Sequence, residues 1–114
     1  MALITNGAGE AQRAKIERWG LAGHFECVAI EGELGVGKPD TRVYIHALEQ
    51  LGAGPRDAWM IGDNLEWDVA APQRLGIAGI WVDVRGTGLP SGAPAKLAAV
   101  IRGLVELPAL VAAC

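Results

Sequence analysis

Two carboxylates five positions apart, Asp63 and Asp68, follow the apolar run Trp59-Met60-Ile61-Gly62. Carboxylates placed just past a strand can hold a hard divalent cation such as Mg²⁺. Two further polar clusters suit the same chemistry. Thr5-Asn6 follows Ala2-Leu3-Ile4, and a hydroxyl and an amide on a tight turn can hold a phosphoryl oxygen. Lys38 closes the glycine-rich stretch of residues 32–37 and precedes Pro39, and a lysine at a helix start can neutralise phosphoryl charge. Together these residues describe a phosphoryl site. No Asp-x-Asp occurs in the sequence to supply a partner nucleophile, so the site reads as one with half of its chemistry missing.

The elements that must position these residues are legible from periodicity. Short apolar runs alternate with amphipathic segments, with Gly or Pro at the junctions, the pattern of successive βα units around a parallel sheet. Strands are predicted at residues 2–5, 26–30, 58–61 and 77–82. The third is apolar on both faces and is therefore expected to be internal. A first helix covers about residues 10–19 and stops at Gly20. A second starts with Pro39 at its first position, carries Tyr44, Ala47, Leu48 and Leu51 at helical spacing and ends at Gly52. Pro72 constrains a third, because a proline inside a helix clashes with the carbonyl four residues earlier, that of Asp68; its first turn is placed at residues 69–72. A closing helix is expected over residues 94–105, ended by Pro108 and followed by an apolar tail. In an open parallel sheet ligands bind beyond the carboxyl ends of the strands. Three of those ends carry Thr5-Asn6, the loop to Lys38, and Asp63 with Asp68. The fold class read here is α/β, three-layered and Rossmann-like, with about four parallel strands.

Size and composition bound the rest. With 114 residues, 51% of them apolar, the chain matches one domain that buries roughly two-thirds of its unfolded surface. Lys and Arg total 10 against 13 Asp and Glu, with no basic cluster, which argues against nucleic acid as a partner. Cys27 and Cys114 form no disulfide framework and suit a reducing cytosol. No apolar run reaches the ~18 residues of a membrane span, and residues 1–7 lack the character of a signal peptide. The expectation is a soluble, cytoplasmic protein with no membrane partner.

Leu3-Ile4-Thr5-Asn6-Gly7, Gly37-Lys38-Pro39-Asp40, and Ile61-Gly62-Asp63 with Asp68 resemble, in order and spacing, the second, third and fourth motifs of the haloacid dehalogenase superfamily. The resemblance extends over about residues 2–85. It implies a Mg²⁺-dependent phosphohydrolase acting on a small phosphorylated metabolite. In that reaction an aspartate attacks phosphorus, expelling the alcohol and forming an aspartyl-phosphate, which water activated by a second aspartate two positions later hydrolyses to free phosphate. Carried over, Thr5 and the Asn6 amide bind the phosphoryl group, and Lys38 steadies both the nucleophile and the phosphate charge. Asp63 is a direct metal ligand, and Asp68 supports the metal through water.

The departure from the family is equally specific. Its nucleophile and acid/base lie on a first strand as Asp-x-Asp, and a cap domain is usually inserted before the strand that here begins at Ala2. Neither is present. Residues 1–114 therefore read as a single partial core domain, as if cut from a longer protein or started too late. With only these carboxylates, Mg²⁺ binding should be weak and turnover by the family route absent. The missing strand is central in the family sheet, between the strands ending at Thr5 and Ile61. Its absence predicts two open edges, and hence closure of the gap or a homodimer.

Blander readings exist for each residue. Thr5-Asn6-Gly7 also suits a plain turn, Lys38 a solvated position, and Asp63 a helix cap; their co-occurrence in family order outweighs these. Glu66 reads as a solvated acidic residue, and Trp19, Trp59 and Trp81 as core. His24 and His46 show no metal-ligand spacing. Gly32-Glu33-Leu34-Gly35-Val36-Gly37-Lys38 fits the nucleotide-binding pattern Gly-(x)4-Gly-Lys, but Pro39 stands where Ser or Thr and a free N–H are needed. A receiver domain requires another order of Asp, Thr and Lys. The remaining alternative is a non-catalytic interaction module.

Overall fold

A computed structural model describes residues 1–92 and 97–112, which fall into two compact units, Met1–Asp57 and Ala58–Cys114. In the first, β1 (Ala2–Thr5) and β2 (Cys27–Ile30) pair in parallel, from Ala2 opposite Cys27 to Thr5 opposite Ile30. Parallel neighbours need a crossover, and α1 (Gly9–Arg18) supplies it, burying Ile16 and stopping at Gly20, whose φ of +64° a side chain would resist. A single turn, α2 (Glu31–Leu34), follows β2 directly, so the glycine-rich stretch expected to be loop is helical at its start. The bidentate pair of Arg13 with Glu33 ties α1 to that turn.

Helix α3 (Thr41–Leu51) buries Val43, Tyr44, Ala47 and Leu48, a stripe at helical spacing that covers the β1–β2 pair. Pro39 is not its first residue. Asp40 is the cap, its carboxylate accepting the Arg42 N–H at 2.9 Å. Lys38 and Pro39 instead lie in a turn closed by the Asp40 N–H on the Gly37 carbonyl, 2.9 Å.

The second unit holds β3 (Trp59–Gly62), β4 (Ala78–Val82) and β5 (Ala99–Ile101), all parallel in that order. The molecule thus has five described strands, not four. Residues 99–101 lie where a helix was expected; Val100 and Ile101 are β-branched, and β4 offers them a free edge to pair with. Residues 94–96 of that expected helix lie outside the described residues. Pro108 sits in the first turn of α5 (Leu107–Ala112) rather than ending a helix, a position that suits a residue with a preset φ.

The connection from β3 to β4 starts earlier than Pro72 alone suggests. Residues Leu65–Ala70 form a wide helical turn that runs into α4 (Ala71–Arg74). Asn64 caps it, accepting the Trp67 N–H at 2.9 Å. The i→i+5 winding opens the turn ahead of Pro72, so the ring avoids the carbonyl that an α-helical turn would place against it. Val69 and Ile80 are fully buried at 0% exposure. Gly79 admits the close approach, since a Cβ there would stand 3.0 Å from Val69 Cγ1.

Among the described residues, β1 pairs only with β2, and β3 only with β4. Strand β3, expected to be internal, therefore pairs along one side only among the described residues. The tryptophans also divide: Trp81 is core at 7% exposure, whereas Trp19 (70%) and Trp59 (38%) are on the surface. Trp19 lies just past the last turn of α1, with the Arg18 guanidinium 5.7 Å from its ring. No helix among the described residues is long and apolar enough to cross a membrane.

The Asp40 cap makes α3 sensitive to acid. Hydrogen bonds from the Arg42 side chain and then its backbone N–H hold the Asp40 carboxyl down to about 2, from an ordinary 3.8. A folded-state value below the unfolded one contributes stability that is complete above 3.8 and lost as pH falls through about 2. Asp40→Asn should therefore melt below the wild type near neutral pH, and the difference should shrink across that acid window. Thermal melts by circular dichroism check this, and a difference independent of pH would refute it.

Candidate functional site

The phosphoryl-site candidates of the first unit are joined by direct bonds. Asn6 follows the last residue of β1, and its side-chain amide meets the backbone of Lys38 at two points. Nδ2 donates to the Lys38 carbonyl at 2.8 Å, and Oδ1 accepts the Lys38 N–H at 2.9 Å. The Asn6 side chain is thereby committed, and any contact it makes to an anion is left to its backbone N–H. Thr5 stands at the end of β1, its hydroxyl donating a long 3.4 Å bond to the Asn6 carbonyl, a hold that a better acceptor would readily replace.

Two residues outside the expected set shape this turn. Gln12 Nε2 donates to the Asn6 carbonyl at 3.0 Å, and Glu31 Oε1 accepts the Gly7 N–H at 3.0 Å. The Gly32 N–H adds a bond to the Gly7 carbonyl at 2.9 Å. Glycine is needed where these segments meet. A Cβ on Gly37 would stand 2.7 Å from Glu31 Oε2 and 2.8 Å from Asn6 Oδ1, and one on Gly32 would run into the backbone nitrogen of Gly9. Gln12 is an unmarked polar residue on an amphipathic helix, with no local signal of its reach. Glu31 had a faint one, an acid at the mouth of a strand.

This geometry bears on the nucleotide-loop alternative. A phosphate-cradling loop presents its N–H groups to the ligand. Here the N–H groups of Gly32, Gly35 and Lys38 are bonded to Gly7 O, Glu31 O and Asn6 Oδ1, and the helix begins only at Thr41.

In the second unit Asp63 directly follows β3 and is exposed, with its carbonyl accepting the Trp81 indole N–H at 3.0 Å. Asp68 is buried, at 3% exposure, and its Oδ2 accepts the Asn64 N–H at 3.1 Å. Its carboxylate lies directly over Gly62, where an added Cβ would overlap Oδ2. The wide turn of residues Leu65–Ala70 thus brings the second carboxylate back over the strand end, which accounts for both the glycine and the five-residue spacing. Glu66 faces elsewhere, paired with Arg74 at 2.9 and 3.3 Å.

A groove of about 570 Å³ opens beside Asp63, lined also by Leu65, Trp81, Asp83, Arg85 and Thr87. Asp83, unremarked in the sequence, is 5% exposed. It shapes the far wall by accepting the N–H groups of Gly86, Thr87 and Gly88 at 3.0, 3.3 and 2.9 Å. Among the described residues no cluster of three or more His, Cys, Asp or Glu could enclose a metal. Asp63 and Asp68 offer hard oxygen donors, which suits an ion that takes one or two carboxylates and completes its shell with water and phosphate. Cys27 is a free buried thiol whose pKa burial raises, which makes it inert.

The chain belongs to the haloacid dehalogenase-like hydrolases, whose family model matches residues 1–76. It is 46% identical over 83 residues to the phosphoserine phosphatase of Thermus thermophilus, covering 73% of this chain and 33% of that protein. The N-acylneuraminate-9-phosphatase of Rattus norvegicus is 33% identical over 109 residues, 95% of this chain and 44% of the relative. Among solved structures, a HAD phosphatase from Thermococcus onnurineus superposes with a TM-score of 0.83 at 27% identity, over 96% of this chain and 49% of that one. The chain spans a third to a half of the length of these proteins.

The contact of Asp68 with Gly62 can be tested directly. Gly62→Ala should cost about 1–3 kcal/mol, because the new methyl displaces a buried carboxylate. Gly23→Ala, with nothing within 4 Å of the added Cβ, should stay within about 0.5 kcal/mol of wild type. Urea denaturation measures both, and equal stabilities for the two variants would refute the close contact.

Proposed function

We propose that this chain carries the phosphoryl-binding and metal-binding parts of a phosphomonoesterase acting on a small phosphorylated metabolite. The observation that carries the reading is the two-point bond of Asn6 to Lys38. It anchors a lysine beside the Thr5-Asn6-Gly7 turn in a chain whose relatives include named phosphatases. Thr5 and the Asn6 N–H hold phosphoryl oxygens, and the Lys38 ammonium offsets their charge. Asp63 is the direct ligand of Mg²⁺, and Asp68, with one oxygen engaged by Asn64, supports it through water. When bound, Mg²⁺ would withdraw charge from the phosphoryl group.

The nucleophile is not among these residues. Asp-x-Asp does not occur in the sequence, so the family's covalent route needs carboxylates from another polypeptide segment, and the 114-residue chain by itself binds phosphate without turning it over. The unpaired sides of β1 and of β3, among the described residues, could each take a further strand, or a second copy in a homodimer. The free thiol of Cys27 suits a reducing, cytoplasmic setting.

Hydrolysis of an aryl phosphate with Mg²⁺, for wild type and Asp63→Asn side by side, tests this reading. The expected result is no turnover by either, with Mg²⁺ raising the melting temperature of the wild type alone. Turnover that is lost in Asp63→Asn would show that the chain supplies its own nucleophile. An equal response of both proteins to Mg²⁺ would remove Asp63 from the metal site.

A further inference from the structure

We propose that Glu31 is a positioning residue for the phosphoryl-binding turn, holding Gly7 so that the adjacent Asn6 can fix Lys38; the inference rests on the phosphoryl reading above. Glu31 is the first residue after β2, and its Oε1 accepts the Gly7 N–H across 24 residues of sequence at 3.0 Å. The next residue grips the other side of the same glycine, the Gly32 N–H donating to the Gly7 carbonyl at 2.9 Å. Both backbone groups of Gly7 are therefore held by Glu31-Gly32. One residue earlier, both backbone groups of Lys38 are held by Asn6. The two grips share the backbone of Asn6-Gly7, so a shift of Gly7 displaces the side chain that carries Lys38.

The second carboxylate oxygen lies close to the far end of the same linkage. Oε2 lies against Gly37, 2.7 Å from where a Cβ would stand, and Gly37 immediately precedes Lys38 in the chain. Glu31 thus touches both segments that Asn6 joins. A carboxylate beside an anion site is unfavourable on charge alone, so its presence needs another role. Accepting a backbone N–H in a charge-assisted bond is one that holds a turn firmly. It also takes the Gly7 N–H out of service as a ligand, leaving Thr5 and the Asn6 N–H to meet a phosphoryl group.

Glu31→Ala removes the acceptor, whereas Glu31→Gln keeps a neutral acceptor at the same reach. Two readouts are made on the whole chain by NMR: amide hydrogen exchange at Gly7, Lys38 and Ile80 without ligand, and titration with inorganic phosphate. In Glu31→Ala, exchange at Gly7 and Lys38 should quicken about tenfold and phosphate affinity should fall about tenfold, with Ile80 unchanged. Glu31→Gln should restore both to within about threefold of wild type. Unchanged exchange at Lys38, unchanged phosphate affinity, or a Gln variant no better than Ala would overturn the proposal. If Glu31→Ala does not fold, Glu31→Asp carries the same comparison, keeping the charge but falling one methylene short. Failure of the wild type to bind phosphate would overturn the phosphoryl reading itself, a result seen before any variant is compared.

Discussion

The side-chain amide of Asn6 spans 32 residues of sequence to bond the N–H and the carbonyl of Lys38. The placement of Lys38 in the first unit depends on this pair of bonds. A primary amide has one donor face and one acceptor face in a single plane, so it pairs with a peptide group much as two peptides pair in a ladder. It carries the order of the β1–β2 pair out to a loop that has no ladder of its own. Glu31, Gln12 and Gly32 then constrain Asn6 and Gly7 from three sides. The glycines around them answer a demand for space, since at Gly32 and Gly37 a methyl would collide with backbone or polar oxygen.

The second unit solves a related problem by bending the chain instead of bridging it. Asp63 and Asp68 would diverge on an ordinary helix started at the strand end. The wide turn capped by Asn64 returns Asp68 over Gly62. Burial of an acid is costly unless it accepts hydrogen bonds, and the Asn64 N–H supplies one. Pro72 is compatible with this path because the i→i+5 winding relieves its ring of a clashing carbonyl. Trp81 adds a constraint from β4, its indole bonded to the Asp63 carbonyl, so the backbone at the strand end is held while the carboxylate faces solvent.

The structure departs from the linear pattern at a helix cap, a strand and two tryptophans. Pro39 seemed to open a helix, yet the cap is Asp40, because a carboxylate satisfies an orphan N–H that a proline only avoids leaving unpaired. Residues 99–101 seemed helical, yet Val100 and Ile101 are β-branched and β4 had an edge to offer them. Trp19 and Trp59 seemed core by type, and Trp81 alone is. The first outcome was decided two residues along the chain, and the other two by a neighbour distant in sequence or the lack of one.

What the sequence by itself determined is the order of the βα units, the strands near Thr5, Ile30, Ile61 and Val82, and the motif residues Thr5, Asn6, Lys38, Asp63 and Asp68. These are legible because apolar periodicity and Gly or Pro punctuation act over a few residues, and because the motif spacing is recorded in the chain. Tertiary structure decided that the Asn6 side chain serves Lys38, that Glu31 grips Gly7, that Gly62 lies beneath Asp68, and that Asp83 shapes a groove. The first two join residues 32 and 24 apart, and the last two depend on how a local turn is wound, so each takes its form only once the chain has folded.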